Sequence, residues 1–546
     1  MSVLVVGAGP VGLMLAAELH RHGSPCRVIE RRANAAPYCK ALGITPRTLE
    51  VWDDLGEGVV QHALAAGLRL LGLVSVANGD VANGTVEGSA LADGAYGFVT
   101  LAQYDVERIL GEHLVRLGGR VERGVELVTL QQSADVVRAG LRRADGGTET
   151  VECQYLVGCD GGRSTVRHAL QLPFEGEHFE QTFMLADVEL DWDLPRGYAY
   201  KFARIEGEQT LGLGAVIPVP GNPRRYRFST VAPEAMVPAN LDAAADPLQG
   251  LSERGPTLEQ VQEVLSSLLA GGTAAAVRAS ELRWSSFYRI SHRLVTKYRV
   301  GRTLLAGDAA HLHPPLGGQG LNTGVQDAYN LAWKLALEVT GRAAAGLLDS
   351  YEAERRAVGL ELVERTTGRL KRVLAGDVGE QEPVRFDSQL FVNYRTSPIV
   401  VPSPVATELR AGDRAPDAIG LRRPHVRHDE RLFDLLRGPQ HTFVLYTNHS
   451  QPEVDCRRFL DLVAPVASSL AGQVVAIVHP DCPLPWVEGQ PTLADSRNDF
   501  ARLYGGRRGN VDVIRPDGYI GCRATLANPG AVEAYARMII RPTAGS

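Results

Sequence analysis

The sequence predicts an α/β protein of more than one domain, and three observations carry that expectation. A glycine-rich turn, Gly7-Ala8-Gly9-Pro10-Val11-Gly12, sits between an apolar run and a helical pattern within the first thirty residues. Two further Gly/Asp segments follow apolar runs much later, Cys159-Asp160-Gly161-Gly162-Arg163-Ser164 and Ala306-Gly307-Asp308-Ala309-Ala310-His311. The length, 546 residues, exceeds one ordinary domain and makes two or three the expected number.

Ser2 to Val6 reads as a buried parallel strand. Val11 to His22 reads as a helix with Leu13, Ala16, Ala17 and His20 at helical spacing, and Arg27-Val28-Ile29-Glu30 as a second strand. In this βαβ opening Gly7 permits the tight turn, Gly9 lets backbone approach a pyrophosphate, and Gly12 lets the helix pack on the sheet. The helix N-terminus turns unpaired N–H groups and a favourable dipole toward phosphates. Glu30, ending the second strand, is placed to accept hydrogen bonds from ribose hydroxyls. Together they predict a dinucleotide. The glycine pattern alone is equally a turn in an unrelated α/β protein.

A helix is expected around Thr48 to Leu55, an irregular Gly-rich stretch near 78–97, and a helix from Gln103 to Leu117. Residues 120–158 alternate like antiparallel strands about a Gly146-Gly147 hairpin, and Gln154 to Cys159 returns to the first sheet. Residues 170–298 are strand-rich and read as a second lobe laid over the cofactor. Arg302 to Ala306 is a strand back into the first sheet, so Asp308 emerges at its carboxyl end, where open α/β sheets bind ligands. A carboxylate there can take the ribityl hydroxyls of a flavin. Asp160 has a plainer local reading as a helix N-cap. In Pro314-Pro315-Leu316-Gly317-Gly318-Gln319-Gly320-Leu321-Asn322 the glycines keep side chains away from a flavin's pyrimidine edge. A helix from about Leu321 to Thr340 aims its positive end at the same place. Residues 372–411, interrupted by Pro383, Pro398, Pro402 and Pro404, read as a linker. Beyond it, strands from His441 to Tyr446, Gln473 to His479 and Asn510 to Ile514, a tight turn Arg515-Pro516-Asp517-Gly518 and a closing helix from Ala531 to Ile540 make a compact α/β domain.

A net charge of -6 offers no basic surface for nucleic acid. Seven scattered cysteines, with no C-x-x-C and no Cys/His cluster at metal spacing, suit free thiols in a reducing compartment and no metal site. The apolar stretch from Val3 to Leu19 lacks a basic leader and reads as strand and helix, not as a signal peptide. No other run approaches the ~20 apolar residues of a membrane span. The expected location is the cytoplasm.

With these motifs in this order, the chain resembles the single-component FAD-dependent aromatic hydroxylases, the class A flavoprotein monooxygenases. It is most similar to their longer branch, which includes phenol hydroxylase, 3-(3-hydroxyphenyl)propionate hydroxylase, pentachlorophenol monooxygenase and the polyketide and rifampicin hydroxylases. The resemblance covers residues 1–370 strongly and 400–546 more weakly. It implies a Rossmann-type FAD-binding domain over 1–170 and 299–371. Inserted in it, over 171–298, is a β-rich substrate domain like that of para-hydroxybenzoate hydroxylase. The linker 372–411 then leads to a thioredoxin-like domain without redox cysteines over 412–546, signalled by Gly412-Asp413-Arg414-Ala415-Pro416 and Arg515-Pro516-Asp517-Gly518-Tyr519.

The same resemblance implies that Gly7, Gly9, Gly12 and Glu30 bind the ADP half of FAD. Lys40, in Lys40-Ala41-Leu42-Gly43, stands near the isoalloxazine and pyrophosphate, Gln103 touches the flavin or ribityl chain, and Asp160 and Asp308 belong to the second and third fingerprints. Gly318, Leu321 and Asn322 hold the flavin edge, and Pro315 with Pro314 lines the face where oxygen reacts. Pro315, Gly318 and His311 form the implied catalytic set, although the plainer reading of His311 and His313 is as structural histidines. Arg31 is either a contact to the phosphate of NADPH or an exposed charge near the ribose. Tyr104 and Tyr288 either face substrate or fill a core, and Asn393 to Pro398 resembles a segment near the substrate entrance.

The implied reaction uses NADPH or NADH to reduce FAD. Dioxygen then gives a flavin C4a-hydroperoxide, which an electron-rich phenolic or polycyclic aromatic substrate attacks to leave as its hydroxylated product. The chain has no second G-x-G-x-x-G, in keeping with the absence of a separate NAD(P)H domain. The alternatives are a reductase or halogenase on the same fold, or a flavin-carrying protein that sequesters an aromatic compound. The halogenase W-x-W-x-I-P signature is missing, since the tryptophans stand at 52, 192, 284, 333 and 486. The expected partners are a small aromatic substrate and dioxygen, with no nucleic acid, no membrane span, and room for a homodimer.

Overall fold

The computed structural model describes residues 1–35, 39–81, 86–87, 94–207, 209–238, 255–272, 276–375, 384–402, 408–485, 490–506 and 509–541. Its first sheet is built on Val3–Val6, which pairs in parallel with Cys26–Glu30 on one side and Tyr155–Gly158 on the other. Val121–Arg123 and Thr303–Leu305 extend the sheet in parallel, and Arg299–Val300 closes one edge antiparallel. The central strands are apolar throughout because both faces are covered. The helix Pro10–Arg21 begins on a proline, which has no N–H to leave unpaired in the first turn. It packs against Gln319–Val339, whose Val325, Ala328, Leu331, Ala332 and Leu335 fill the same core. The predicted starts at Val11 and Leu321 were late by one and two residues, within the usual uncertainty of helix ends.

The second sheet has nine strands. Two 18-residue strands, Phe174–Asp191 and Arg278–Val295, pair antiparallel near one side of it. Arg225–Val231, Gln209–Pro218 and Tyr198–Glu206 follow in order. Helix Leu258–Leu268, closed by a reciprocal Thr257–Gln260 capping box, buries Val261, Leu265 and Leu268 against one face. Gly72–Ala77, where the sequence carried no predicted element, pairs in parallel with Tyr198–Glu206. The sheet therefore recruits chain from outside 171–298. Within the irregular stretch 78–97, Asp80–Val81 and Val86–Glu87 pair onto that added strand, and residues 82–85 and 88–93 lie outside the described residues. The predicted hairpin is part of a three-stranded antiparallel sheet of Val125–Gln132, Val137–Arg143 and Thr148–Cys153, turning at Gly146 with φ +87°.

Asp349–Leu374 forms a long helix that the sequence reading did not single out, and it runs into the start of the expected linker. Of the linker prolines, Pro383 and Pro404 lie outside the described residues. The C-terminal domain is a seven-stranded mixed sheet. Thr442–Thr447 lies parallel to Gln473–Val478 and antiparallel to Asn510–Ile514. Helices Pro452–Ser469 and Gly530–Ile539 share a core that also takes in Trp333 and Leu347 from the N-terminal part. This is the compact α/β character expected beyond the linker, and all seven cysteines of the chain are unpaired. Among the described residues no helix is long and apolar enough to cross a membrane.

Candidate active site

A cavity of about 1590 Å³ runs from the N-terminal glycine turn to the underside of the nine-stranded sheet. One half is lined by Gly9, Glu30, Lys40, Gln103 and Asp308, the other by Phe183, Trp284, Phe287, Tyr288 and Leu370. Small-molecule sites usually occupy about 300–1,000 Å³, so this one has room for two ligands.

The three glycines of the first turn do different work. Gly7 has φ +101°, and a Cβ there would lie 2.5 Å from the Cys159 carbonyl oxygen. A Cβ on Gly12 would lie 1.9 Å from the Gly7 oxygen, so the close approach is to the turn itself and not, as expected, to the sheet. A Cβ on Gly9 would meet nothing within 4 Å and would project into open space beside the cavity. Two glycines thus serve the fold, and the third keeps a ligand surface open. Glu30 accepts hydrogen bonds from the Ala8 and Arg32 amides, each at 3.0 Å, which orients its carboxylate and leaves lone pairs for further donors. Arg31 is exposed on the cavity wall.

Asp308 leaves the end of strand Thr303–Leu305 and meets the Lys40 ammonium at 3.2 Å. Burial pushes its carboxyl up, but the Lys40 ammonium, the largest of the opposing influences, helps hold it below its ordinary value. Gly307 has φ +63°, and a Cβ there would lie 2.8 Å from the Val11 side chain, so both the backbone conformation and the space call for glycine. Gln103 accepts from the Ala41 amide at 3.1 Å and donates to Glu107 at 2.9 Å, which fixes its amide against the Lys40 loop. The Asp160 carboxylate accepts from the Ser164 hydroxyl (2.6 Å) and the Val166 amide (3.2 Å), while Ser164 caps helix Thr165–Ala169. The N-cap is therefore Ser164 and not, as expected, Asp160, which braces the capping hydroxyl and the first turn from the edge of the cavity.

The loop before helix Gln319–Val339 turns through Gly317 (φ +74°) and Gly318 (φ +67°), and Pro315, Gly318 and Leu321 line the cavity. Asn322 is not among the lining residues. Its amide braces the loop, accepting from the Thr45 N–H at 3.0 Å and donating to the Gly43 and Gly318 carbonyls at 2.9 and 2.6 Å. His311, expected in the catalytic set, also lies behind the wall. It is 1 % exposed, and its Nε2 is 2.8 Å from Asp327. Asp327 in turn accepts from the Gly307 amide (3.0 Å) and from Arg355 (2.7 Å). This is the structural-histidine reading, in which the imidazole anchors the Asp308 loop to the long helix. His313 does line the cavity. Burial, then His311, lowers its pKa to about 4, which keeps the ring neutral.

Several site residues escaped the sequence reading. Buried Arg167 donates to the Ala309 and Gly162 carbonyls and ties the second fingerprint to the third. Arg227 grips Asp187 and reaches the Cys39 and Lys40 carbonyls. Asp387 accepts from Gln319 at 3.0 Å and from Arg369 at 3.0 Å beside the glycine loop. Each is an isolated charge in the sequence, and only the fold reveals its partners. Tyr288 lines the cavity with its hydroxyl 3.1 Å from that of Ser229, whereas Tyr104 is not among the lining residues. Residues 393–398 do not line it either. Arg395 pairs with Asp413 at 2.6 Å and Ser397 bonds Glu354 at 2.6 Å, which fastens the segment to the C-terminal domain and to a buried network.

An open glycine wall, an oriented carboxylate at the end of the second strand and a carboxylate–ammonium pair at the third motif suit a long ligand with a diphosphate and a polyol. The FAD binding domain family model matches residues 1–366. A flavin-dependent monooxygenase of Mycobacteroides abscessus is 36% identical over 82% of this chain and 88% of its own. Pentachlorophenol 4-monooxygenase of Sphingobium chlorophenolicum is 30% identical over 99% of this chain and 97% of its own. Aklavinone-11 hydroxylase, solved with FAD and aklavinone, superposes with a TM-score of 0.76 at 25% identity, covering 98% of each chain. The cofactor is FAD, and the chain belongs to the family that its motifs resemble, the FAD-dependent aromatic hydroxylases.

Proposed function

We propose that this enzyme uses NADPH or NADH and dioxygen to hydroxylate a phenolic or polycyclic aromatic substrate. The observation that carries the reading is the single cavity of about 1590 Å³, continuous from the glycine turn to an aromatic-lined chamber under the second sheet. A flavin lying along the first half would present its ring to whatever fills the second. The relatives named for pentachlorophenol and aklavinone act on aromatic rings of very different size, and the volume here favours the larger.

In this reading Gly7, Gly9 and Glu30 hold the ADP half, and Asp308 with Lys40 takes the ribityl chain. Gln103 steadies the Lys40 loop, and the backbone from Leu316 to Leu321 meets the pyrimidine edge. Asn322, His311 and Asp160 support these groups from behind. Arg31, on the exposed rim, is placed for the cosubstrate's phosphate or the ADP ribose. When bound and reduced, the flavin supplies the oxygen activation. The protein's own part is to orient the two ligands, exclude water beneath the second sheet, and keep His313 neutral beside them. The test is to screen hydroxyaromatic compounds for those that accelerate NAD(P)H oxidation, and then to run the best under labelled dioxygen. One labelled oxygen per product is expected. Label entering only from water would overturn the reading. So would stoichiometric ligand uptake without NAD(P)H oxidation, which is the sequestering alternative.

A further inference from the structure

The floor of the chamber is a row of neighbours across the nine-stranded sheet. In register they are Ser75, Lys201, Ala215, Ser229, Leu185 and Ser286. All six line the cavity. The row is made of small or apolar side chains with one exception. Lys201 stands between Ser75 and Ala215, where neither neighbour is large enough to cover it. The alternate residues of its strand, Tyr200 and Phe202, point to the opposite face and fill the core under helix Leu258–Leu268.

Lys201 is half-buried and makes no hydrogen bond or ion pair with any described residue. The charged groups that it feels are Arg369 and Asp387, and these two already bind each other at 3.0 Å. Asp387 also holds Gln319 at 3.0 Å, and its carboxyl group would lie 2.7 Å from a Cβ on Gly317. The ammonium therefore lies within electrostatic reach of the groups beside the loop assigned to the flavin edge, and with Arg369 and Asp387 it leaves one positive charge in excess. Burial, then Arg369, lowers its pKa to about 8, so it remains largely protonated near neutral pH. Among the described residues no side chain accepts from this half-buried ammonium, so on a floor of small and apolar side chains an anionic ligand would supply the acceptor it lacks.

We propose that Lys201 is a specificity-determining residue whose ammonium binds the ionised oxygen, a phenolate or enolate, of an acidic hydroxyaromatic substrate. This rests on the reading of the chamber as the substrate site. The charge-assisted bond fixes one end of a polycyclic ring system against the floor and leaves the rest to the aromatic walls. A neutral aromatic of the same shape gains only the walls.

The test uses the FAD-loaded enzyme and two probes. One is 1,2-dihydroxyanthraquinone, whose hydroxyl ionises near neutral pH with a colour change. The other is its dimethyl ether. Both are titrated into wild type, Lys201→Met and Lys201→Arg. The expected result is that wild type binds the dihydroxy probe as its coloured anion at a pH where the free dye is mostly neutral. Lys201→Met weakens that binding by at least about tenfold and holds the neutral form, while Lys201→Arg keeps the anion. The ether binds all three proteins alike. Equal affinity and equal colour in Lys201→Met would overturn the proposal. Equal loss of both probes would overturn it too, by making the role one of packing. Weakened binding of adenosine 2′,5′-bisphosphate with unchanged dye binding would assign the ammonium to the nicotinamide cosubstrate instead. If neither anthraquinone enters wild type, it is the substrate-chamber reading that fails, and this proposal with it.

Discussion

Arg515 closes on Glu354 with both arms of its guanidinium, at 2.7 and 2.9 Å, and neither side chain is exposed at all. Arg515 belongs to the tight turn of the C-terminal domain and Glu354 to helix Asp349–Leu374. Glu354 also receives Lys334 at 2.7 Å and Asn330 at 2.6 Å, both from the helix whose start faces the cavity. Burial pushes the Glu354 carboxyl up, but Arg515 and Lys334 prevail and hold it well below the usual carboxylate range. Its neighbour Arg355 binds Asp327, which holds the Gly307 amide. One chain of buried charge thus links the C-terminal turn to the Asp308 loop. Arg515→Ala leaves Asp517 without its cation and Glu354 with Lys334 alone, and is expected to cost about 3–5 kcal/mol. It should lower the unfolding midpoint and weaken flavin retention. Arg515→Lys should restore only part, because an ammonium lacks the planar fork. A midpoint unchanged in Arg515→Ala would show that the network contributes nothing net.

Gly9 and Gly12, three residues apart in sequence, should give opposite phenotypes. Gly12→Val places methyls where a Cβ already lies 1.9 Å from a backbone oxygen, so soluble yield should collapse. Gly9→Val meets no protein atom within 4 Å and should fold normally, yet emerge colourless because its side chain fills the diphosphate cradle. Circular dichroism and flavin absorbance, read together, separate the two. A yellow Gly9→Val protein would move the diphosphate elsewhere.

Asp308→Ala removes an ionised acceptor from the cavity wall and leaves Lys40 facing it. Losing charge-assisted hydrogen bonds worth about 3 kcal/mol predicts roughly hundredfold weaker FAD binding, measured by reconstitution of stripped protein. Asp308→Asn, which keeps the shape and loses the charge, should fall between. Full flavin content in Asp308→Ala would exclude the ribityl contact.

His441 is 3 % exposed and its Nε2 meets the Tyr535 hydroxyl at 3.0 Å. Burial, and then Arg515, lowers its pKa to about 3. The unfolded chain takes up this proton near pH ~6.5, while the folded protein refuses it until about 3. Stability is therefore full above about pH 6.5 and declines as pH falls toward 3. At about 1.4 kcal/mol per unit the loss reaches a few kcal/mol near pH 4. His441→Gln should flatten that decline in urea melts taken between pH 7 and 4. An unchanged slope would place the acid sensitivity in other groups.

The parts legible in the sequence were those whose signal is local. Apolar runs ending in glycine or aspartate placed the strands around Val3–Val6, Tyr155–Gly158 and Thr303–Leu305 because strand, turn and helix follow one another directly. Gly72–Ala77 was invisible because its partner, Tyr198–Glu206, lies more than a hundred residues away. Asp327, Lys334, Glu354 and Arg355 look like the solvated face of long helices, yet all are fully buried and pair across elements, Lys334 with Glu354 and Asp327 with Arg355. His311 was ambiguous for a related reason. Its place beside the Pro314 loop admitted a chemical role, and only the position of Asp327 shows which way the ring points.

Because Gly72–Ala77 slots beside Tyr198–Glu206, the two lobes are stitched by an additional pass of the chain, and Ser75 on that stitch paves part of the chamber. A fragment excised at 171 and 298 would leave behind this strand and the short ones paired onto it. Tyr198–Glu206 would then offer a naked row of amides and carbonyls to any neighbour, and clumping, not an isolated substrate module, is what such surgery would yield.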